Sequence, residues 1–461
     1  MSCIANTTRS VVRWKGNPAR YRHRDRPALA TVFPFLSCRH RSRCAFVTTP
    51  QGETMIRLLH AALALAVGLF LWAGPAAAQG NPCGLNPAKI ITEIRHPHKS
   101  ELTVLVAHRG LHAQLHTDAF SRTPENSRES LDNVAATCFE AAEIDIRRTS
   151  DGVLVLSHDF KWGREAEVPQ GGICCYDPWK DTGGNPDVGS VTFQQTKIWK
   201  LRNFKNWQTG IWAETPVSLP EILNHYKSKG FGFVLFIDVK NKDDFRQAWI
   251  NVVQAGMNER VVFKIGATEF PRAIDFSKFM STNYLGSWGT DANHINFMPV
   301  YNTGDIGNRG IAGGRGESGV LDSLISYEDW EDDTGQNFFA AAEVNMKAPG
   351  AILASLLINL QRGDRGNFSS GIFHPITEYG DPKTNSYYYR SDASCCNKLS
   401  AYYFNGGSSL PSDTVDLREN RPFILQHVSG NYFNIVTSDD VYNLNSEIAK
   451  LNRRNTLKYF K

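Results

Sequence analysis

Acidic residues are nearly absent from the first 54 positions, where Asp25 and Glu53 stand against ten Lys and Arg. No apolar period lasts there beyond a few residues, which argues against a packed helix or strand in that stretch. The apolar run from Leu58 to Ala73 stops at 16 residues, short of the ~20 that a membrane-spanning helix needs. There is no spaced CxxC…CxxC pattern, so the cysteines offer no zinc-finger spacing. There is no low-complexity linker and no repeat of 20–50 residues, which excludes solenoids and blade arrays.

What the first segment does contain has a grammar. Met55-Ile56-Arg57 precedes the apolar run, Gly74-Pro75 breaks it, and Ala76-Ala77-Ala78 ends it. A basic start, an apolar stretch and a small-residue end make a secretory signal peptide. The expectation is export from a start at Met55, cleavage after Ala78, and a location in the periplasm or outside the cell. Residues 1–54 are then upstream sequence, with no fold of their own.

Removing 1–78 changes the charge. Of 50 basic and 46 acidic residues, 11 and two lie in that segment, which leaves 39 against 44. The basic balance of the whole chain therefore gives no argument for a nucleic-acid partner or a stable membrane anchor. Six cysteines remain: Cys83, Cys138, Cys174, Cys175, Cys395 and Cys396. An even number in an exported chain favours disulfides, with the pairing left open.

The rest reads as short apolar runs alternating with helical stretches. Nine runs have strand character: Thr103–Ala107, Ala142–Ile146, Val153–Ser157, Phe233–Val239, Val261–Gly266, Ile295–Val300, Phe339–Val344, Gly371–His374 and Phe433–Thr437. Most lack alternation, as strands covered on both faces do. Ser127–Phe139, Leu219–Lys229, Asp243–Ala255, Tyr327–Asp332 and Pro349–Leu360 read as helices. The alternation predicts an α/β fold, a (β/α)8 TIM barrel in one domain from 79 to 461. Val153–Ser157 is the run to spare, a side hairpin. The stretches 163–199 and 377–421 read as insertions.

Barrel chemistry sits where strands end. Those ends carry His108-Arg109, Glu143, Asp145, His158-Asp159, Asp238, Lys240, Lys264, Glu343 and His374. Glu143 and Asp145 are two apart and share one strand face. Two carboxylates on a buried face repel unless a cation lies between them, and oxygen ligands suit Mg²⁺ or Ca²⁺. His108 and His158 end separate runs, as an acid and a base for a phosphodiester should. Arg109 fits phosphate geometrically or serves a structural ion pair. Lys264 and Glu343 either reach substrate or pair with a neighbour. Trp199, Trp207 and Trp212 form a ligand wall or, more simply, pack.

His108-Arg109-Gly110, Pro124-Glu125-Asn126-Ser127, Glu143-Ile144-Asp145, Thr149-Ser150-Asp151-Gly152 and His158-Asp159, in this order, resemble the glycerophosphodiester phosphodiesterase family. The likeness extends through Pro216–Glu221, Ile237–Lys240 and the closing run Ile435–Asp439. It implies a (β/α)8 barrel with a divalent cation, Ca²⁺ or Mg²⁺. It implies His108 and His158 as the acid/base pair, and Glu143, Asp145 and Asp238 as metal ligands. Arg109 and Lys240 become phosphate contacts. The implied reaction hydrolyses a glycerophosphodiester, a small-molecule substrate, to glycerol 3-phosphate and an alcohol. Asp238 departs from the family's usual glutamate. The loop Leu111–Thr123 is long, and the family's Trp-containing segment has only Phe423–Val428 in its place. Two other readings stand beside this one. One is a phospholipase-like phosphodiesterase on the same barrel, acting on intact phospholipid or phosphoinositide through a cyclic phosphate, with transient lipid contact. The other is a surface binding protein without catalysis.

Overall fold

In the computed structural model the described residues are 81–112, 123–170, 176, 182–202, 214–283, 288, 292–302, 317–345, 368–374, 379–381, 386–389, 397–399 and 421–460. The chain divides into units 1–73 and 74–461, and all described residues lie in the second. The proposed leader and signal segment, the helix at 349–360, Trp207, Trp212 and four of the six cysteines lie outside the described residues.

The strands in chain order are β1 (Val104–Ala107), β2 (Ala141–Arg148), β3 (Leu154–Leu156), β4 (Val234–Val239), β5 (Val261–Gly266) and β6 (Phe297–Asn302). They continue with β7 (Ala341–Asn345), β8 (Ser369–His374), β9 (Tyr379–Asp381), β10 (Ser386–Tyr389), β11 (Asn397–Leu399) and β12 (Ile435–Ser438). Eight of them, in the order β1-β12-β8-β7-β6-β5-β4-β2, pair in parallel, and β2 closes back on β1. This is the closed (β/α)8 barrel expected from the sequence. β3 stands apart: it pairs antiparallel with the end of β2, Ile146 opposite Leu156. The spare ninth run is therefore the side hairpin, and it rises from the carboxyl rim of the barrel. β9 to β11 form a separate three-stranded sheet inside the second expected insertion.

Local chemistry explains why the connecting helices start and stop where they do. Ser218 caps Leu219–Lys229 with Glu221 completing a capping box, and Pro220 stands in the first turn. Gly230 ends that helix at φ 67°, a left-handed conformation that glycine adopts without strain. Ser127 and Ser130 cap Arg128–Thr137 reciprocally. The expected helix at 327–332 is displaced: the structure has Glu317–Glu328 and then Trp330–Thr334. Helices Pro87–Arg95, Ala273–Asn283, Arg421–Ser429 and Val441–Lys450 are additional. Phe423–Val428 lies within the third of these, not on a strand.

The amino end of the barrel is locked by charge that is fully matched. Arg454 donates to both Glu140 oxygens at 2.5 and 2.9 Å, and Glu140 also accepts from the Leu105 amide at 2.6 Å. Cys83 and Cys138 form a disulfide beside it. A second small core fills the region after β3, where Trp162, Ala166, Val168, Val188 and Trp199 pack on Val155. Trp199 is 7% exposed, with its ring 5.8 Å from that of Trp162, so it packs and lines no ligand wall.

Candidate active site

The carboxyl ends of β1, β2, β4, β5, β7 and β12 bring the chemistry together. Parallel neighbours in register lie about 4.8 Å apart. Asp145 of β2 is in register with Asp238 of β4, which is in register with Lys264 of β5. Glu143, Asp145 and Asp238 each offer an oxygen, and these atoms lie within 4.8 Å of one another. Glu143 and Asp145 are buried, and Asp238 is half-buried. The shorter Asp238 side chain thus reaches the cluster, because its strand lies directly beside β2.

Backbone turns aim the groups around them. Arg109 and Asn126 both take positive φ, 55° and 51°, uncommon for residues with a side chain. The Asn126 amide donates to the Arg109 carbonyl at 3.0 Å, which joins the two turns. The Arg109 amide in turn donates to Glu143 at 2.9 Å. Asn126 grips Asp145 twice: its Oδ1 accepts the Asp145 amide at 3.0 Å, and its Nδ2 donates to the carboxylate at 3.2 Å. Gly110 follows at φ 77°, and a β-carbon there would collide with the Ser130 side chain. Only glycine fits that close approach.

The two histidines are held differently. His108 Nδ1 lies 2.7 Å from Asp439, just past β12, and His112 Nε2 reaches the same oxygen at 3.2 Å. Phe373 stands edge-on to the His108 ring at 4.8 Å. His158 Nδ1 lies 3.2 Å from Asp159, which is gripped by Arg164 at 2.6 and 2.5 Å. Glu165 accepts from the amides of His158 and Asp159 at 3.0 and 2.9 Å. Glu125 ties the two halves, accepting from Arg109 at 3.0 Å and from Arg164 at 2.8 Å.

Burial opposes charge at every one of these groups; it prevails at Glu143 and Glu165, and neighbours outweigh it at the others. Burial and then the adjacent Asp145 push Glu143 up to about 7. Burial would also raise Asp145, but Lys240 and Arg109 hold it well below the usual carboxylate range. Burial resists protonation of His108, yet the Asp439 carboxylate outweighs it and raises its pKa. Asp439 is held low in return, against its own burial, by His108. Burial pushes Glu165 up to about 8, with Arg164 opposing and Glu125 adding to the rise.

His108, Arg109, Glu143, Asp145, His158, Asp238 and Lys240, all expected from the sequence, lie at this rim. Lys240 Nζ bridges Asp145 at 2.5 Å and Asp238 at 2.9 Å. The Arg109 guanidinium lies 3.0 Å from Glu125 and 3.4 Å from Asp145. Lys264 and Glu343, both buried, pair at 2.9 Å. That is the ion-pair alternative, and it makes them part of the barrel filling. Sequence reasoning gave no role to Asp439, Glu125, Asn126, Arg164 or Glu165. Asp439 follows the last strand as the other chemical groups follow theirs, and that position was the signal available.

The donor set suits a hard divalent cation. Three carboxylates converge, one of the two buried ones, Glu143, resists ionisation, and among the described residues no soft ligand joins the cluster. A cation held by Glu143, Asp145 and Asp238 would relieve the repulsion that raises Glu143.

Residues 108–296 match the Glycerophosphoryl diester phosphodiesterase family. An uncharacterized protein of Sinorhizobium fredii, y4eD, is 27% identical over 194 residues, which cover 39% of this chain and 46% of that protein. The match thus spans less than half the length of that relative. A solved glycerophosphoryl diester phosphodiesterase from Parabacteroides distasonis is 15% identical, with a TM-score of 0.48, covering 82% of this chain and 97% of its own. A phosphodiesterase of Oleispira antarctica, solved with the product sn-glycerol-3-phosphate, is 12% identical at a TM-score of 0.41, covering 76% and 97%.

Proposed function

We propose that this chain, which carries a glycerophosphoryl diester phosphodiesterase family segment over residues 108–296, hydrolyses glycerophosphodiesters to glycerol 3-phosphate and an alcohol. The observation that carries the reading is the pair of histidines, each with Nδ1 against an aspartate, flanking a three-carboxylate cluster. In this reading Glu143, Asp145 and Asp238 hold Ca²⁺ or Mg²⁺, which when bound offsets phosphate charge and orients the attacking oxygen. His108 and His158 divide the proton transfers. Asp439 and Asp159 fix the Nδ1 side of each ring and leave Nε2 for the reacting oxygens. Arg109 and Lys240 place positive charge where the phosphate sits, and both also hold Asp145 ionised. The substrate is a small phosphodiester, which needs no nucleic-acid surface and no stable membrane anchor. No described helix is long and apolar enough to cross a membrane.

Export through the segment 55–78, into the periplasm or beyond, completes the proposal. N-terminal sequencing of the native protein tests it: a mature end near Gln79 is expected, and any peptide from 1–54 overturns it. The activity is tested by ³¹P NMR of glycerophosphocholine, glycerophosphoinositol and lysophospholipid, with and without EDTA. Cation-dependent release of glycerol 3-phosphate is expected. A cyclic phosphate product would favour the phospholipase-like reading, and no turnover of any diester would favour a binding protein.

A further inference from the structure

At the end of β2, where Arg147 stands two residues beyond Asp145, lies a cavity of about 870 Å³. Its walls are the extension of β2, the turn after β3, the segment 187–190 and the start of helix Lys242–Gln254. Arg147, Phe160, Asp187, Asn241 and Asp243 are the wall residues that matter here. The cavity adjoins the proposed chemistry on two sides. The Arg147 guanidinium donates to the His158 carbonyl at 2.8 Å, and Asn241 follows Lys240 directly. Arg147 also feels Asp145, Glu165 and Asp238 on one flank and Asp244 on the other. It joins the cavity wall to the His158 turn.

We propose that this cavity receives the leaving alcohol and that it selects a neutral polyhydroxylated one, such as a cyclitol or sugar alcohol. The proposal rests on the phosphodiesterase reading above and adds the substrate class to it. Phe160 is 58% exposed, an unusual state for a phenyl ring, and Arg147 stacks on it at 3.8 Å. A ring fixed from one side by a guanidinium offers its remaining surface as a platform for the C–H face of a cyclic polyol. Around it stand the exposed carboxylates of Asp187 and Asp243 and the exposed Ser190 hydroxyl, which donates to the Asp187 carbonyl at 2.7 Å and keeps its oxygen to accept; the Asn241 amide is committed to Asp244 at the helix start. Vicinal hydroxyls donate to such acceptors.

Charge excludes the alternatives. A quaternary ammonium alcohol would seek the same aromatic face, but Arg147 already lies on it and Arg148 lines the same cavity. An anionic alcohol would meet the exposed carboxylate of Asp243. Arg148 and Asp244 neutralise each other at 2.6 Å, and Lys161 lies 3.3 Å from Asp187, so neither sign dominates the wall. A neutral, hydroxyl-rich group is the one class that meets no uncompensated like charge.

The test compares glycerophosphoinositol with glycerophosphoethanolamine on the full chain, as wild type, Phe160→Ala and Asp243→Asn. Both positions are exposed, so the variants should fold. Wild type should prefer the cyclitol diester. Phe160→Ala should lower kcat/KM for it by roughly tenfold, mainly through KM, and change the ethanolamine diester less than about twofold. Asp243→Asn should move in the same direction by a smaller factor, and free myo-inositol should inhibit wild type more strongly than Phe160→Ala. Equal losses on both substrates, or a wild-type preference for the ethanolamine diester, overturn the pocket assignment and leave the hydrolase reading standing. Wild type that turns over neither diester overturns both.

Discussion

His108 and His158 carry the same kind of support by opposite routes. His108 takes its aspartate from the far end of the chain, 331 residues away, just past the strand that lies beside β1. His158 takes Asp159, its immediate neighbour, and its amide is fixed by Glu165 seven residues on. The His108 side chain is 9% exposed and that of His158 25%. One ring is therefore set by barrel closure and sits deep; the other is set by a hairpin turn and sits at the rim. The deep ring depends on the whole fold, and the rim ring has room to meet a leaving group.

The sharpest way to break this comparison is to remove each ring. His108→Ala and His158→Ala should each lower kcat on the order of 10³-fold, measured at saturating cation with folding checked by circular dichroism. Near-normal activity in either variant removes that ring from the mechanism. The supports should differ more than the rings do. Asp439→Asn removes the charge that raises the His108 pKa, so burial then dominates and that pKa falls. The expected loss is about 10²-fold in kcat, with the histidine limb of the pH profile displaced to lower pH. Glu165→Gln should cost less than about threefold at pH 7. Its carboxyl, pushed up to about 8, is already protonated there, and glutamine imitates that form. A large loss at pH 7 would show that the ionised form supports His158.

Linkage extends the contrast to stability. Glu143 and Glu165 have folded-state pKa values raised above the unfolded ones. Each contributes stability that is present below the unfolded value and lost as pH rises through about 7 and about 8. His108, also raised, acts in the same direction. Asp145 and Asp439 are lowered, so their contribution is intact across this range. The Tm of chelated protein should therefore fall between pH 5 and pH 8, and Ca²⁺ or Mg²⁺ should restore more of it at the upper end. A flat profile, or equal rescue at both ends, contradicts the charge frustration assigned to Glu143. The smallest effect on activity belongs to the opposite end of the barrel. Opening the Cys83–Cys138 link by Cys83→Ala should lower stability by roughly 2–4 kcal/mol and leave kcat at 25 °C unchanged.

The sequence made the barrel legible because its strands are uninterrupted apolar runs with polar ends, and all nine runs correspond to strands. It placed the helix near 327 too late: the described helix begins at Glu317, with Val320, Leu321, Leu324 and Ile325 already in helical spacing. It gave no helix at Arg421–Ser429, where Phe423–Val428 is a short apolar run whose periodicity alone does not separate helix from strand. At the site, the residues local to a motif were visible: His108, Glu143, Asp145 and His158. Asp238 was visible too, and its in-register place beside Asp145 supplies the reach that its side chain lacks. The partners that act across the fold were not. Asp439 meets His108 only because β12 closes the ring, and Glu125 meets Arg164 only because β3 folds back over the rim. Such pairings depend on closure, which no local spacing encodes.

The central claim is that the two histidines act as one proton-transfer pair, and the double variant His108→Ala/His158→Ala tests it most directly. Groups that act as a unit are strongly non-additive. Single-turnover rates with glycerophosphoinositol should place the double variant within about tenfold of either single variant. Losses that multiply, so that the double variant falls by the product of the two single factors, would contradict the account.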